Sequence, residues 1–148
     1  VTRRVIFLDV DGVLNHAEAF RLWEDRFGRD VLDHGCVRRL VELARDTGAE
    51  VVISSTWRLM EDAHRIISVA LWTHGIELVG QTPDLWSTDR ADEIRAWLAD
   101  NPDVSRYVVL DDDPTAAIEG HTVLTDWNGG GLTDERAAEA RRILEATP

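Results

Sequence analysis

A chain of 148 residues with 44% hydrophobic content can bury a substantial core. Its formal net charge of −12, with arginine as the sole source of strong positive charge and no lysine, counts against broad, non-specific binding to nucleic acid. A single cysteine, Cys36, excludes an internal disulfide, and no apolar run approaches the length of a membrane span. Val1-Thr2-Arg3-Arg4 before an apolar strand does not have the pattern of a signal peptide, so a cytoplasmic protein is expected.

The first element is the apolar run Val5 to Leu8, which suits a strand buried on both faces. It leads into Asp9-Val10-Asp11-Gly12. Alternation along a strand would point Asp9 and Asp11 the same way, and Gly12 would let the chain turn out of the strand. Residues 16–33 mix charge with Phe20, Trp23 and Phe27 and are expected to form a short flap. Helical spacing of Val37, Leu40, Val41 and Ala44 predicts a helix from Asp33 to Thr47, stopped by Gly48. A second buried strand, Ala49 to Ile53, ends in Ser54-Ser55-Thr56-Trp57-Arg58. A helix over Met60–Thr73 and a third strand over Ile76–Val79 follow. Thr88 or Asp89 can cap a helix that buries Ile94, Trp97 and Leu98. The fourth strand, Tyr107 to Leu110, runs into Asp111-Asp112-Asp113-Pro114. A fifth covers Thr122–Leu124, and Thr133 opens the last helix.

Alternating strands and helices predict one α/β domain over residues 1–148. It is a three-layer, Rossmann-like parallel sheet of about five strands, with helices on both faces and no large cap domain. Right-handed crossovers would bring the carboxyl ends of strands one, two and four together, which is where ligands bind in such sheets. Three clusters remote in sequence should therefore converge.

Their residue types suit phosphoryl transfer. Asp9 can attack phosphorus, and Asp11 can give a proton to the leaving oxygen and later take one from water. Ser54 or Ser55 offers a hydroxyl and backbone N–H groups to phosphate oxygens. Arg90, in the first turn of a helix, can hold an anion there, although Arg95 is an equally basic neighbour. Asp111 and Asp112 complete an acidic metal site with Asp9 and Asp11, and repelling carboxylates of this kind are reconciled by a hard cation such as Mg²⁺. Asp113 reads as a cap before Pro114 and Cys36 as packing. No histidine shows metal-ligand spacing, and only His16 falls near the site.

The ordered set resembles the haloacid dehalogenase-like (HAD) superfamily: Asp-x-Asp-Gly, a Ser/Thr ending the second strand, a basic residue ahead of a helix, and an acidic pair after the fourth strand. The phrase Ile53-Ser54-Ser55-Thr56-Trp57-Arg58, with Arg90 before Glu93-Ile94, resembles the Swiss-army-knife RNA repair-like subgroup. The resemblance implies Asp9 as nucleophile, Asp11 as acid/base, Ser54 on phosphate, and Arg90 where the family more often has lysine. It places Mg²⁺ on Asp111 and Asp112 and on the backbone carbonyl of Asp11. It also implies a phosphatase with an aspartyl-phosphate intermediate and a repair enzyme as partner.

An uncapped site would draw binding energy from a large substrate spread over its rim. Arg58, Trp57 and Trp86 are the expected rim groups, suited to a terminal phosphate on a nucleic-acid strand. Small nucleotides and phosphoproteins are alternative substrates. The rivals from another class are a phospho-accepting receiver and an inactive binding domain. A receiver needs a lysine and an acceptor on a later strand, and an inactive domain would have lost residue types that are all present here.

Overall fold

In the computed structural model, described residues are 3–19, 21, 32–86 and 89–147. Most of the expected flap, residues 20 and 22–31, lies outside them, as does Thr88. Five strands form one all-parallel sheet: β1 (Arg3–Leu8), β2 (Glu50–Ile53), β3 (Leu78–Gln81), β4 (Val104–Asp111) and β5 (Thr122–Leu124). Their order is β3-β2-β1-β4-β5, so β1 is central and carries β2 and β4 on either side.

The alternation along β1 divides the core. Ile6 and Leu8 face α1 (His34–Thr47), which brings Val37, Leu40, Val41 and Ala44. The same cluster takes in Ile67 and Leu71 from α2 (Glu61–Thr73), and Ala140 and Leu144 from α4 (Asp134–Glu145). Val5 and Phe7 face the other way, toward Ile94 and Trp97 of α3 (Arg90–Ala99). There Phe7 meets Trp97 and Tyr107 edge-on, with centroids 5.3 and 5.8 Å away. Such aromatic contacts add to simple area burial. The result is the expected three-layer α/β fold. No segment among the described residues builds a cap domain, and no helix among them is long and apolar enough to cross a membrane.

Helix boundaries follow their capping chemistry. Asp33 is the N-cap of α1 and accepts the Cys36 N–H at 2.9 Å, while Gly48 ends the helix in the left-handed region. Thr133 caps α4 in the same way through the Arg136 N–H. Asp89 holds the N-cap position of α3 without a side-chain bond.

The third and fourth strands differ most from the sequence expectation; β1 starts two residues earlier and β2 one residue later than expected. The third strand lies at Leu78–Gln81 rather than Ile76–Val79, because the Ile76 N–H closes the end of α2 onto the Leu71 carbonyl at 2.9 Å. The fourth begins three residues earlier than expected. Val104 and Arg106 pair with Arg3 and Arg4, so the ladder continues through a stretch where polar Ser105 and Arg106 interrupt the hydrophobic pattern.

Candidate functional site

The last rungs Leu8↔Ile53 and Leu8↔Leu110 align the carboxyl ends of β1, β2 and β4. One residue on, the Asp9 N–H donates to the Leu110 carbonyl at 3.0 Å. Asp9 is 4% exposed and Asp111 wholly buried. Arg90, at the first position of α3, reaches both: its Nη1 lies 3.2 Å from Asp9 Oδ1 and donates to Asp111 Oδ2 at 2.8 Å. Arg95 instead pairs with Asp92 on the exposed surface of the same helix. Helix geometry thus separates the two basic candidates.

Burial, then the neighbouring Asp111 charge, holds the Asp9 carboxyl well above the usual carboxylate range, with Arg90 pulling the other way. Burial also raises Asp111, against the opposing pull of Arg90 and the Asp113 N–H, which donates to Asp111 Oδ1 at 2.9 Å. One arginine does not offset two buried carboxylates. Asp112 adds a third: oxygens of Asp9, Asp111 and Asp112 all lie within 4.8 Å of one another. Gly12 makes room for it. Its φ of 82° suits glycine, and a Cβ there would overlap the Asp112 carboxylate. A compact set of hard oxygen donors that is short of positive charge fits a hard divalent cation.

Asp11 departs from the expected pattern. β1 ends at Leu8, so strand alternation does not carry Asp11 to the side of Asp9. The chain turns instead, with the Leu14 N–H donating to the Val10 carbonyl at 2.8 Å and Val10, Val13 and Leu14 buried beneath. The Asp11 carboxylate is not part of the acidic trio. It accepts from Asn15 Nδ2 at 3.0 Å and from the Trp57 indole N–H at 3.1 Å. The expectation that the Asp11 side chain is a metal ligand is therefore corrected: the cluster is Asp9, Asp111 and Asp112.

The Ser-Ser-Thr-Trp-Arg run after β2 also divides differently from its reading as a phosphate loop with a rim. Ser54 is wholly buried, and its hydroxyl has no hydrogen-bond partner among the described residues. Ser55 is the serine that lies against Asp9, where its hydrogen bond favours the carboxylate, and its Oγ accepts the Trp57 N–H at 3.2 Å. Trp57 is not a rim group: it is 3% exposed, with its indole edge on Asp11.

Arg58 is not a rim group either, which corrects its expected role as a substrate contact. Its side chain is 3% exposed and donates to Glu93 Oε2 at 2.9 Å. It also donates to the carbonyls of Ser54, Ser55, Thr82 and Pro83. A guanidinium so fully engaged ties the β2 turn to the loop after β3. Trp86 in that loop stays exposed, at 92%, with a left-handed φ of 64° that is rare for a bulky residue.

His16 lies apart from the trio. Its Nε2 faces Asp33 Oδ2 at 3.0 Å, and with Cys36 these residues form a capping network around the start of α1. Burial pushes the Cys36 thiol up to about 11, as expected of a packing cysteine. Sequence reasoning missed the partners of Asp11. Asn15 was detectable as a short polar residue four positions on in a tight turn. Nothing local marked Trp57.

The carboxyl edge of the parallel α/β sheet thus gathers three carboxylates, two of them bridged by one arginine. The sequence pattern described as the HAD domain in Swiss Army Knife RNA repair proteins matches residues 5–137, and the chain belongs to that family. No curated protein and no solved structure matches it. Membership supports a phosphatase of the HAD type.

Proposed function

We propose that the protein is a Mg²⁺-dependent phosphomonoester hydrolase that works through an aspartyl-phosphate at Asp9 and acts on terminal phosphates of nucleic acid. The observation that carries this reading is the convergence of Asp9, Asp111 and Asp112 with Arg90 bridging the first two.

A carboxylate oxygen of Asp9 attacks phosphorus, and the bond to the ester oxygen breaks. Asp11 gives that oxygen its proton, and the alcohol departs. Water then attacks phosphorus, Asp11 takes its proton, and the phosphorus–Asp9 bond breaks to release phosphate. Arg90, beside Asp9, would offset charge on the phosphoryl oxygens, and the Ser55 hydroxyl would hold Asp9. Asp9, Asp111 and Asp112, with the backbone carbonyl of Asp11, would hold Mg²⁺, which supplies Lewis-acid neutralisation of the phosphate dianion.

Metal dependence has a readout apart from activity. Asp9 and Asp111 hold their protons to higher pH in the folded protein than in the unfolded chain. Their contribution in the cation-free protein is therefore present in full below the ordinary aspartate range. It is lost as pH rises through the raised values. Mg²⁺ takes the place of the proton, so its stabilising effect grows over the same range. The rise in Tm on adding Mg²⁺ should be larger at about pH 7.5 than at about pH 5. Hydrolysis of an aryl phosphate should stop in chelator and return with Mg²⁺. A Tm indifferent to Mg²⁺, or full activity in chelator, would overturn the metal assignment.

Nucleic-acid ends are favoured because Trp86 stands exposed in a strained conformation on the loop beside α3, and an indole there can stack on a base. kcat/KM should be higher for a 3′-phosphorylated oligonucleotide than for the matching mononucleotide. Trp86→Ala should reduce that advantage about tenfold, the scale of one lost stacking contact. Preferential turnover of mononucleotides or sugar phosphates would remove the nucleic-acid substrate and leave the phosphatase standing.

A further inference from the structure

We infer that Trp57 is a positioning residue for Asp11, holding the carboxylate of the acid/base through its indole N–H; this rests on the phosphatase reading above. Asp11 is the exposed residue of an otherwise buried turn after β1, where a short carboxylate has several rotamers open to it. Two donors remove that freedom, one on each oxygen. Asn15 Nδ2 donates to Oδ1 at 3.0 Å, and Trp57 Nε1 donates to Oδ2 at 3.1 Å.

Each donor is itself fixed. Asn15 is buried, and its Oδ1 accepts the Gly12 N–H at 3.2 Å, so the amide cannot turn over without losing a bond. Trp57 lies in a 3₁₀ turn, Thr56–Leu59, capped by Ser55, whose Oγ accepts the Trp57 N–H while the same side chain lies against Asp9. The buried indole offers a single N–H and spends it on Asp11. The short path Asp9–Ser55–Trp57–Asp11 therefore links the nucleophile to the acid/base through one turn. The Asp11 side chain does not join the acidic trio to which Asp9 belongs, so the two donors hold it instead.

A core role alone would require an apolar ring. The indole edge matters only if the orientation of Asp11 matters, and that distinction can be measured. Departure of an aryl oxide needs little help from an acid, whereas departure of an alkoxide needs a great deal. Trp57→Phe keeps an aromatic ring and removes the N–H. It should lower kcat about tenfold for an alkyl or nucleoside 3′-phosphate and by less than about twofold for p-nitrophenyl phosphate, with KM little changed. Because both substrates are read on one preparation, the ratio is independent of how much protein is folded. If Trp57→Phe does not accumulate, Asn15→Ser removes the other donor and should shift the ratio in the same direction.

Asp11→Asn is the reference. It should show the same leaving-group bias, only larger. If Asp11→Asn shows the bias while the Trp57 and Asn15 variants lower both substrates equally, the positioning role is overturned. If Asp11→Asn shows no bias, the acid/base reading of Asp11 fails and takes this inference with it.

Discussion

Asp9→Asn is expected to lower kcat by about 10⁴-fold or more, because the amide cannot form the acyl phosphate and no second carboxylate takes its place. Asp111, the nearest candidate, is wholly buried, and both its oxygens are bound, one by Arg90 and one by the Asp113 N–H. The same variant should change stability in the opposite direction. In the cation-free protein, Asp9 and Asp111 share a buried site with one arginine, and both carboxyls are pushed upward. Removing one charge ends that conflict. In chelator near neutral pH, Asp9→Asn should therefore melt higher than the native chain and gain less from Mg²⁺. A variant that loses activity through misfolding would melt lower. Near-normal turnover in a preparation shown by mass to be free of deamidation would exclude the covalent route through Asp9.

The parts of this structure that were legible in sequence are those where one local pattern decides the outcome. The unbroken apolar run of β1 marked a strand buried on both faces, and the spacing of Val37, Leu40, Val41 and Ala44, with Gly48 as the stop, marked α1. Arg90 was separable from Arg95 because a helix start has a definite position relative to the strand ends. Strand β3 is displaced because the backbone N–H of Ile76 closes the preceding helix, although its apolar, β-branched side chain reads as strand. The site readings that did not survive depended on where a side chain goes after a strand ends. Asp11 follows a turn rather than the strand's alternation. Arg58 and Trp57 lie on a loop, where arginine and tryptophan ordinarily read as surface groups. Only the fold brings Glu93, 35 residues away, to Arg58, and Asp11, 46 residues away, to Trp57.

Arg58→Ala should accordingly behave as a folding variant rather than a binding variant. Arg58 and Glu93 have side chains 3% and 10% exposed and stand 2.9 Å apart. Desolvating the two charges costs much of what their attraction returns, so the pair is weak grounds for net stability. Removing one partner is another matter, since Glu93 would keep a buried charge without its cation. A loss of about 3–5 kcal/mol is expected from Arg58→Ala in denaturant unfolding. Arg58→Met with Glu93→Leu should recover part of it and no more. The recovered part is the stranded charge. The remainder comes from the carbonyls of Ser54, Ser55, Thr82 and Pro83, which lose a common donor in either variant, and from the Leu85 N–H, which loses Glu93 as its acceptor. Those bonds hold the loop carrying Trp86 against the turn carrying Ser55 and Trp57. The double variant should therefore fold and still bind a nucleic-acid end poorly, with KM raised more than kcat is lowered. A double variant as unstable as Arg58→Ala would mean that the backbone bonds, not the ion pair, dominate. A stable Arg58→Ala whose only defect is oligonucleotide KM would return Arg58 to the substrate-facing rim, against the burial and the hydrogen bonds seen here.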